Sequence, residues 1–155
     1  MTATNASPAT DREIVITRTF DAPRELVFDA WTDAAHIAEW WGPNGFTTTN
    51  YEMDVRAGGV WRFVMHGPDG VDYPNRVDYI EVVRPERLVY RHGDGDADTG
   101  FLATVTFEDR DGKTELTMRT EFASAEERAR VIAEHGAIEG GKQTLARLAE
   151  YLASR

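Results

Sequence analysis

The sequence predicts an α+β domain in which one curved antiparallel sheet carries a long helix across its concave face. Three observations lead there. Strand-like runs at 46–55, 60–66, 71–83, 87–92, 101–109 and 113–122 follow one another with only short turns between them. Connections that short join antiparallel neighbours, because parallel strands need crossovers of a dozen or more residues. Ser124, with Glu127 three residues later, forms a capping box that opens a helical stretch running to about Ala153. No other segment is long enough to cover the face that such a sheet must bury.

Taken in order, residues 1–12, "MTATNASPATDR", have no apolar stretch and little to bury, so they are expected to be a disordered lead and not a signal peptide. Residues 13–155 then form a single domain. From Glu13, "EIVITRTFD" alternates as a strand, and Pro23 takes a first-turn position ahead of the helix "RELVFDAWTD". A second short helix, "AAHIAEWWG", is stopped by Gly42 and Pro43. Turn signals then punctuate the strands: "AGG" at 57–59, "GPDG" at 67–70, "RPE" at 84–86, "GDGDADTG" at 93–100 and "DRDG" at 109–112.

Composition excludes several classes of function. A chain of 155 residues that is 41% hydrophobic and 28% charged is a soluble globular domain, and no apolar run approaches the ~20 residues of a membrane helix. Cytoplasmic localisation is the expectation. With no cysteine, disulfides, thiolate metal sites and cysteine nucleophiles are all excluded. A net charge of −10 repels phosphate backbones and anionic lipid, so neither nucleic acid nor a membrane is expected as a partner.

Several segments carry a resemblance. "ITRTFDAPRELVFDAWTD", "HIAEWWGP", "DVRAGGVWRFVMHGPDG", "EVVRPERLVY", "VTFEDRDGKTELTM" and "GGKQTLARLAEYL" resemble, in that order, the family named for the activator of the heat-shock-protein-90 ATPase. That family lies within the START-like, or SRPBCC, helix-grip superfamily, whose birch-pollen-allergen-like fold has two short helices after the first strand and a sheet wrapped around a C-terminal helix. The resemblance spans roughly residues 13 to 153. It implies the fold more strongly than any one activity, because the segments are mostly packing and turn motifs. Gly141 stands where many members have tryptophan and Asp78 where an apolar residue is usual, and both departures are expected to affect the interior.

Strand parity assigns the inward side chains. Trp61, Phe63 and Met65 form the bulkier set of one strand, with Leu88, Tyr90 and His92, then Phe101, Ala103, Val105 and Phe107, then Leu116, Met118, Thr120 and Phe122 in the next three. Ile80 and Val82 are placed inward too, which carries Asp78 and Arg76 with them unless a bulge intervenes. On the last helix, a count of about 100° per residue from Ile138 turns positions 131, 134, 138, 141, 145, 148 and 152 inward. Gly141 then faces the sheet, while Gly136 and Gly140 face out. An inward glycine either admits a close approach of the sheet or leaves a void for an apolar ligand, and the cluster reads equally as a bend between two helices.

The expected ligand-binding residues are Trp41, Trp61, Phe63, Met65, Arg76, Asp78, Tyr90, His92, Phe107, Met118, His135, Ile138, Gly141 and Leu145. Arg76, Asp78, His92 and His135 are the polar groups nearest the cavity. A convergent set of that kind could orient a ligand or serve acid/base chemistry, and a self-satisfied Arg76/Asp78 pair is the plainer alternative. Of Trp40 and Trp41, one is expected to pack the short helix onto the sheet, and the other is either a second packing residue or a lid. His36 and His66 have no metal-ligand spacing, and "DGDADTG" breaks the calcium-loop pattern at Thr99 and Val105. No metal or cofactor is expected.

The function expected is binding of a small hydrophobic or aromatic molecule between sheet and terminal helix. One alternative, implied by the resemblance, is a co-chaperone regulating a heat-shock-protein-90-type ATPase. The eukaryotic activators carry an additional N-terminal docking domain where this chain has its short lead, which ranks binding first. A second alternative is a cyclase- or hydrolase-like enzyme using the same cavity.

Overall fold

Period-two alternation and short turns build the sheet. A computed structural model of the protein describes residues 4–6, 12–93 and 100–154. The elements are β1 (Thr4–Ala6), β2 (Glu13–Phe20), α1 (Arg24–Thr32), α2 (Ala34–Ile37), β3 (Thr47–Met53), β4 (Val60–His66), β5 (Asp72–Val83), β6 (Arg87–Gly93), β7 (Phe101–Arg110), β8 (Lys113–Phe122), α3 (Ala125–His135) and α4 (Ala137–Ala153). All eight strands form one antiparallel sheet in the order β1-β2-β8-β7-β6-β5-β4-β3. The last strand therefore closes back onto the first long one, and among the described residues β1 and β3 form the two edges. The α+β class and the helix-grip architecture are as expected. The lead differs, because its residues Thr4–Ala6 pair with Ile16–Arg18 as β1.

Local chemistry explains the helices. Pro23 sits one position earlier than expected, as the N-cap of α1, and Glu25 places a carboxylate in the positive first turn. Asp33 separates α1 from α2 and its carboxylate accepts from the backbone N–H groups of Ala35 and His36. Ser124 caps α3 by accepting from Glu127 N at 3.0 Å.

The predicted single terminal helix is two. Gly136 adopts φ 57° and ψ 44°, a left-handed cap that ends α3 and starts α4. The bend reading of the glycine cluster holds at Gly136. The angular count cannot be continued across that break, and Glu134, counted inward, is exposed.

The second correction concerns β5. Its register slips between Tyr79 and Glu81, where the pairing with β6 is bulged. A bulge reverses which side chains face the core on its two sides. Val77 and Tyr79 are therefore buried ahead of it, Ile80 is 51% exposed, and Val82 packs inward beyond it. Arg76 and Asp78 thus lie on the outer face, against the parity that carried them inward.

An aromatic cluster fills the concave side between the α1–α2 unit and the sheet. Trp31 meets Trp40 and Trp41 edge-on at 5.0 and 5.7 Å, Trp41 meets Trp61 at 5.2 Å, and Trp61 stacks on Phe63 at 4.0 Å. Leu145 and Leu148 from α4 are completely buried.

Candidate functional site

Where α3 and α4 cross the sheet, packing is incomplete. A cavity of about 180 Å³ lies between β2, β6, β7 and β8 on one side and the two helices on the other. Its walls are Ile14, Ile16, Tyr90, His92, Phe101, Ala103, Met118, Thr120 and Phe122 from those strands, Met65 from β4, Trp41, Gly42 and Pro43 from the loop after α2, and Val131, Ala137, Gly141 and Thr144 from the helices. None of these side chains is charged. The cavity shares Pro43, Met65, His92, Phe101, Phe122 and Val131 with a wider groove of about 680 Å³ that also includes Tyr73, Asn75, Glu127 and Arg130, and which forms its mouth.

Gly141 accounts for part of this space. An ideal Cβ built there stands 2.6 Å from Ile16 Cδ1 and 3.5 Å from Met118 Cε. The missing side chain therefore lets Ile16 of β2 approach the helix backbone, and the void lies beside that contact. Close approach and cavity, posed as alternatives by the sequence, occur at the same residue. Gly140 looks elsewhere, with Pro43 Cβ at 3.9 Å as the nearest atom to its ideal Cβ.

The loop wall is pinned from α4. Arg147 Nη1 donates to the carbonyls of Gly42 and Pro43 at 2.9 and 3.0 Å and more weakly to that of Trp41 at 3.4 Å. Gln143 Oε1 accepts from Asn44 N at 3.1 Å. Burial depresses the Arg147 guanidinium below the ordinary arginine value, Glu150 opposing. Of the tryptophan pair, Trp40 is the packing residue, fully buried with Nε1 donating to Ala30 O at 3.1 Å, whereas Trp41 lines the cavity.

His92 is the most unusual polar group of the site. Its ring lies among Phe101, Phe63 and Trp41, with centroids at 4.9, 5.7 and 6.2 Å. Its Nε2 is 3.0 Å from Asn75 Oδ1, and Asn75 Nδ2 donates to Tyr73 O at 2.8 Å. Desolvation pushes its pKa down to about 4, so the ring is neutral at pH 7. Burial likewise raises the Tyr90 phenol above its ordinary value.

Among the fourteen residues expected at the site, Trp41, Met65, Tyr90, His92, Met118 and Gly141 line the cavity. Trp61, Phe63, Phe107 and Leu145 are buried in the surrounding core, and Ile138 packs against it from α4. Arg76 and Asp78 are not at the cavity, for the reason of register given above. Arg76 Nη2 donates to Asp78 Oδ1 at 3.0 Å with both side chains nearly half exposed, a self-satisfied pair on the outer face. His135 ends α3, and its side chain is outside the described residues, as is "DGDADT" at 94–99.

His36 bonds to Tyr151 Oη, and His66 bridges Thr49 and Asp72 on the exposed surface; neither touches the cavity. Among the described residues no His, Asp or Glu cluster could hold a metal. Sequence reasoning missed Ile14 and Ile16, although they alternate along β2, and Asn75, which the inverted parity of β5 turned outward. Phe101, Ala103, Thr120 and Phe122 are inward by strand parity but outside the expected site, and they too line the cavity.

Residues 21–153 match the family described as "Activator of Hsp90 ATPase homolog 1-like protein". Among solved structures, protein Ms6760 from Mycobacterium smegmatis superposes with a TM-score of 0.85 at 26% identity, over 98% of this chain and 97% of that one. A protein from Arthrobacter aurescens superposes at 0.88 with 24% identity, over 99% and 92%. The AHSA1 protein from Silicibacter pomeroyi gives 0.74 at 23% identity, over 92% and 98%. No curated protein matches the chain.

Proposed function

The chain belongs to the Activator of Hsp90 ATPase homolog 1-like family, and from that premise and the cavity we propose that it binds a small hydrophobic or aromatic molecule between the sheet and the C-terminal helices. The observation that carries this reading is a pocket of about 180 Å³, open at its mouth and walled without a single charged side chain. Close packing is the rule in protein interiors, and an apolar cavity near 150 Å³ takes up benzene. The void is not left over from a weak core, because the aromatic cluster beside it is tightly packed and the loop that walls it is anchored by Arg147. Pocket-like, apolar and bordered by a few polar atoms, it has the character of a small-molecule site.

Among the described residues no helix is long and apolar enough to cross a membrane. Separately, the net charge of −10 disfavours polyanionic partners such as nucleic acid or an anionic lipid surface. A thermal-shift screen with small neutral aromatic molecules tests the reading. A ligand present at 100 times its Kd stabilises by about 2.7 kcal/mol, and no shift across such a library would defeat the proposal.

The family's description supports a second reading, regulation of an Hsp90-type ATPase. Stimulation of the host chaperone's ATPase by this chain, unaffected when the cavity is filled by Gly141→Trp, would favour it over ligand binding.

A further inference from the structure

We infer that the ligand is an uncharged molecule about the size of one substituted aromatic ring, which donates a hydrogen bond from a hydroxyl or N–H group to His92 Nδ1. This rests on the binding function proposed above and specifies its chemistry. Size follows from the volume, about 180 Å³, against the roughly 150 Å³ that accommodates benzene. Neutrality follows from the uncharged walls and from the mouth, where Arg130 is already paired with Glu127 and Glu134, so an ionised ligand would give up its hydration without gaining a counter-charge of its own.

The donor requirement follows from a chain of three groups. Asn75 spends its amide N–H on Tyr73 O, at 2.8 Å, which fixes its Oδ1 toward His92. That oxygen accepts, so His92 Nε2, 3.0 Å away, must carry the ring proton. Burial keeps the ring neutral at pH 7, so Nδ1 has a bare lone pair and can only accept. No protein group among the described residues bonds to it, and it is not among the buried polar atoms sealed away without a partner. Nδ1 is therefore not sealed off, and the open space that the His92 ring borders is the cavity and its mouth, where a bound molecule can meet it.

The hydroxyls nearby impose no such demand. Thr144 already donates to Gly140 O at 2.9 Å, and a threonine hydroxyl turns to donate or accept as needed. Nδ1 has no such freedom. A molecule without a donor shuts it off from water and leaves a buried acceptor unmet, whereas one with a hydroxyl satisfies both partners.

Phenol, toluene and benzoate separate these requirements, with affinities measured by calorimetry on the full chain and on His92→Phe, and with the ¹⁵N resonance of Nδ1 followed in the unsubstituted protein. Phenol and toluene should bind and benzoate should not. The affinity of phenol relative to toluene should fall about tenfold or more in His92→Phe, and phenol but not toluene should move the Nδ1 resonance upfield. The resonance decides even if the variant does not fold. Toluene and phenol binding in the same ratio to both proteins, with the resonance unmoved, would overturn the donor requirement and leave ligand binding intact. Benzoate binding as well as phenol would overturn neutrality. If neither phenol nor toluene binds, the binding function itself fails.

Discussion

Gly141→Ala, made alone and again with Ile16→Val, measures what the glycine in α4 is for. In a helix interior, alanine is worth about 1 kcal/mol over glycine. Against that stands the contact: the new Cβ lies 2.6 Å from Ile16 Cδ1, a distance side chains do not tolerate. Ile16 is 1% exposed, so its terminal methyl must leave its rotamer well at about 0.5–1.5 kcal/mol. The two effects nearly cancel, and Gly141→Ala alone should change stability by less than about 0.5 kcal/mol. Ile16→Val deletes the offending methyl and by itself destabilises by about 0.5–1.5 kcal/mol. In that background alanine at 141 meets no obstruction and should recover its full ~1 kcal/mol of helix preference. The cycle therefore predicts a coupling of about 1 kcal/mol, read from urea denaturation of the four proteins, or about 2–4 °C in Tm for a chain this long. Coupling below about 0.3 kcal/mol would mean that Ile16 does not hold position 141 to glycine.

The remaining expectations are simpler. Gly141→Trp should fill the cavity and abolish binding of any small aromatic ligand while the circular dichroism of the fold is kept; retained affinity would move the site elsewhere. Gly136→Ala should destabilise by about 1–2 kcal/mol, because φ 57° is left-handed and no neighbouring atom lies within 4 Å to contribute a further clash. Gly140→Ala, in ordinary helix with its nearest atom at 3.9 Å, should be neutral or stabilise by up to about 1 kcal/mol; thermal melts of the two alanine variants compare them directly. His92 links stability to pH. Unfolded, it titrates near 6.5, and folded near 4, so between those values the unfolded chain gains a proton that the folded chain refuses. Stability is unaffected by this group above pH 6.5 and is lost as pH falls, by about 1.36 kcal/mol per pH unit and on the order of 3 kcal/mol at pH 4. His92→Gln should lack that loss, and parallel stability profiles for the two proteins from pH 7 to 4 would disprove it.

The residues that could be read in advance were those whose pattern is local. β6, β7 and β8 alternate without interruption, so period two alone turns Tyr90, His92, Ala103, Met118 and Thr120 to the correct face. β5 alternates as well, but the bulge at Tyr79 and Glu81 reverses its parity and depends on pairing with β6, a partner that composition does not reveal. One extra residue turned Arg76 and Asp78 from solvent-facing ion pair into supposed cavity groups, and hid Asn75. The break at Gly136 was visible as one of several meanings of a glycine cluster, and only its left-handed backbone separates it from Gly140 and Gly141. The three residues of β1 are too few to show an alternation at all. The cavity was the least legible feature, because a void is a property of how facing surfaces fail to meet.

Arg147 gives the site a tolerance that the protein's outer surface lacks. The ion pairs spread over the sheet and α3, such as Arg76 with Asp78 and Arg130 with Glu127 and Glu134, are solvent-exposed contacts between opposite charges, and dissolved salt weakens them within a Debye length of about 8–10 Å. Arg147 instead grips three carbonyl oxygens of the loop. Those oxygens are dipoles with no counter-ion to exchange, and the contact is short-ranged and half withdrawn from water. Brine that loosens the shell of a chain carrying a net charge of −10 should therefore leave Trp41, Gly42 and Pro43 in place, and an uncharged occupant of the cavity should be held about as firmly in concentrated salt as in dilute buffer.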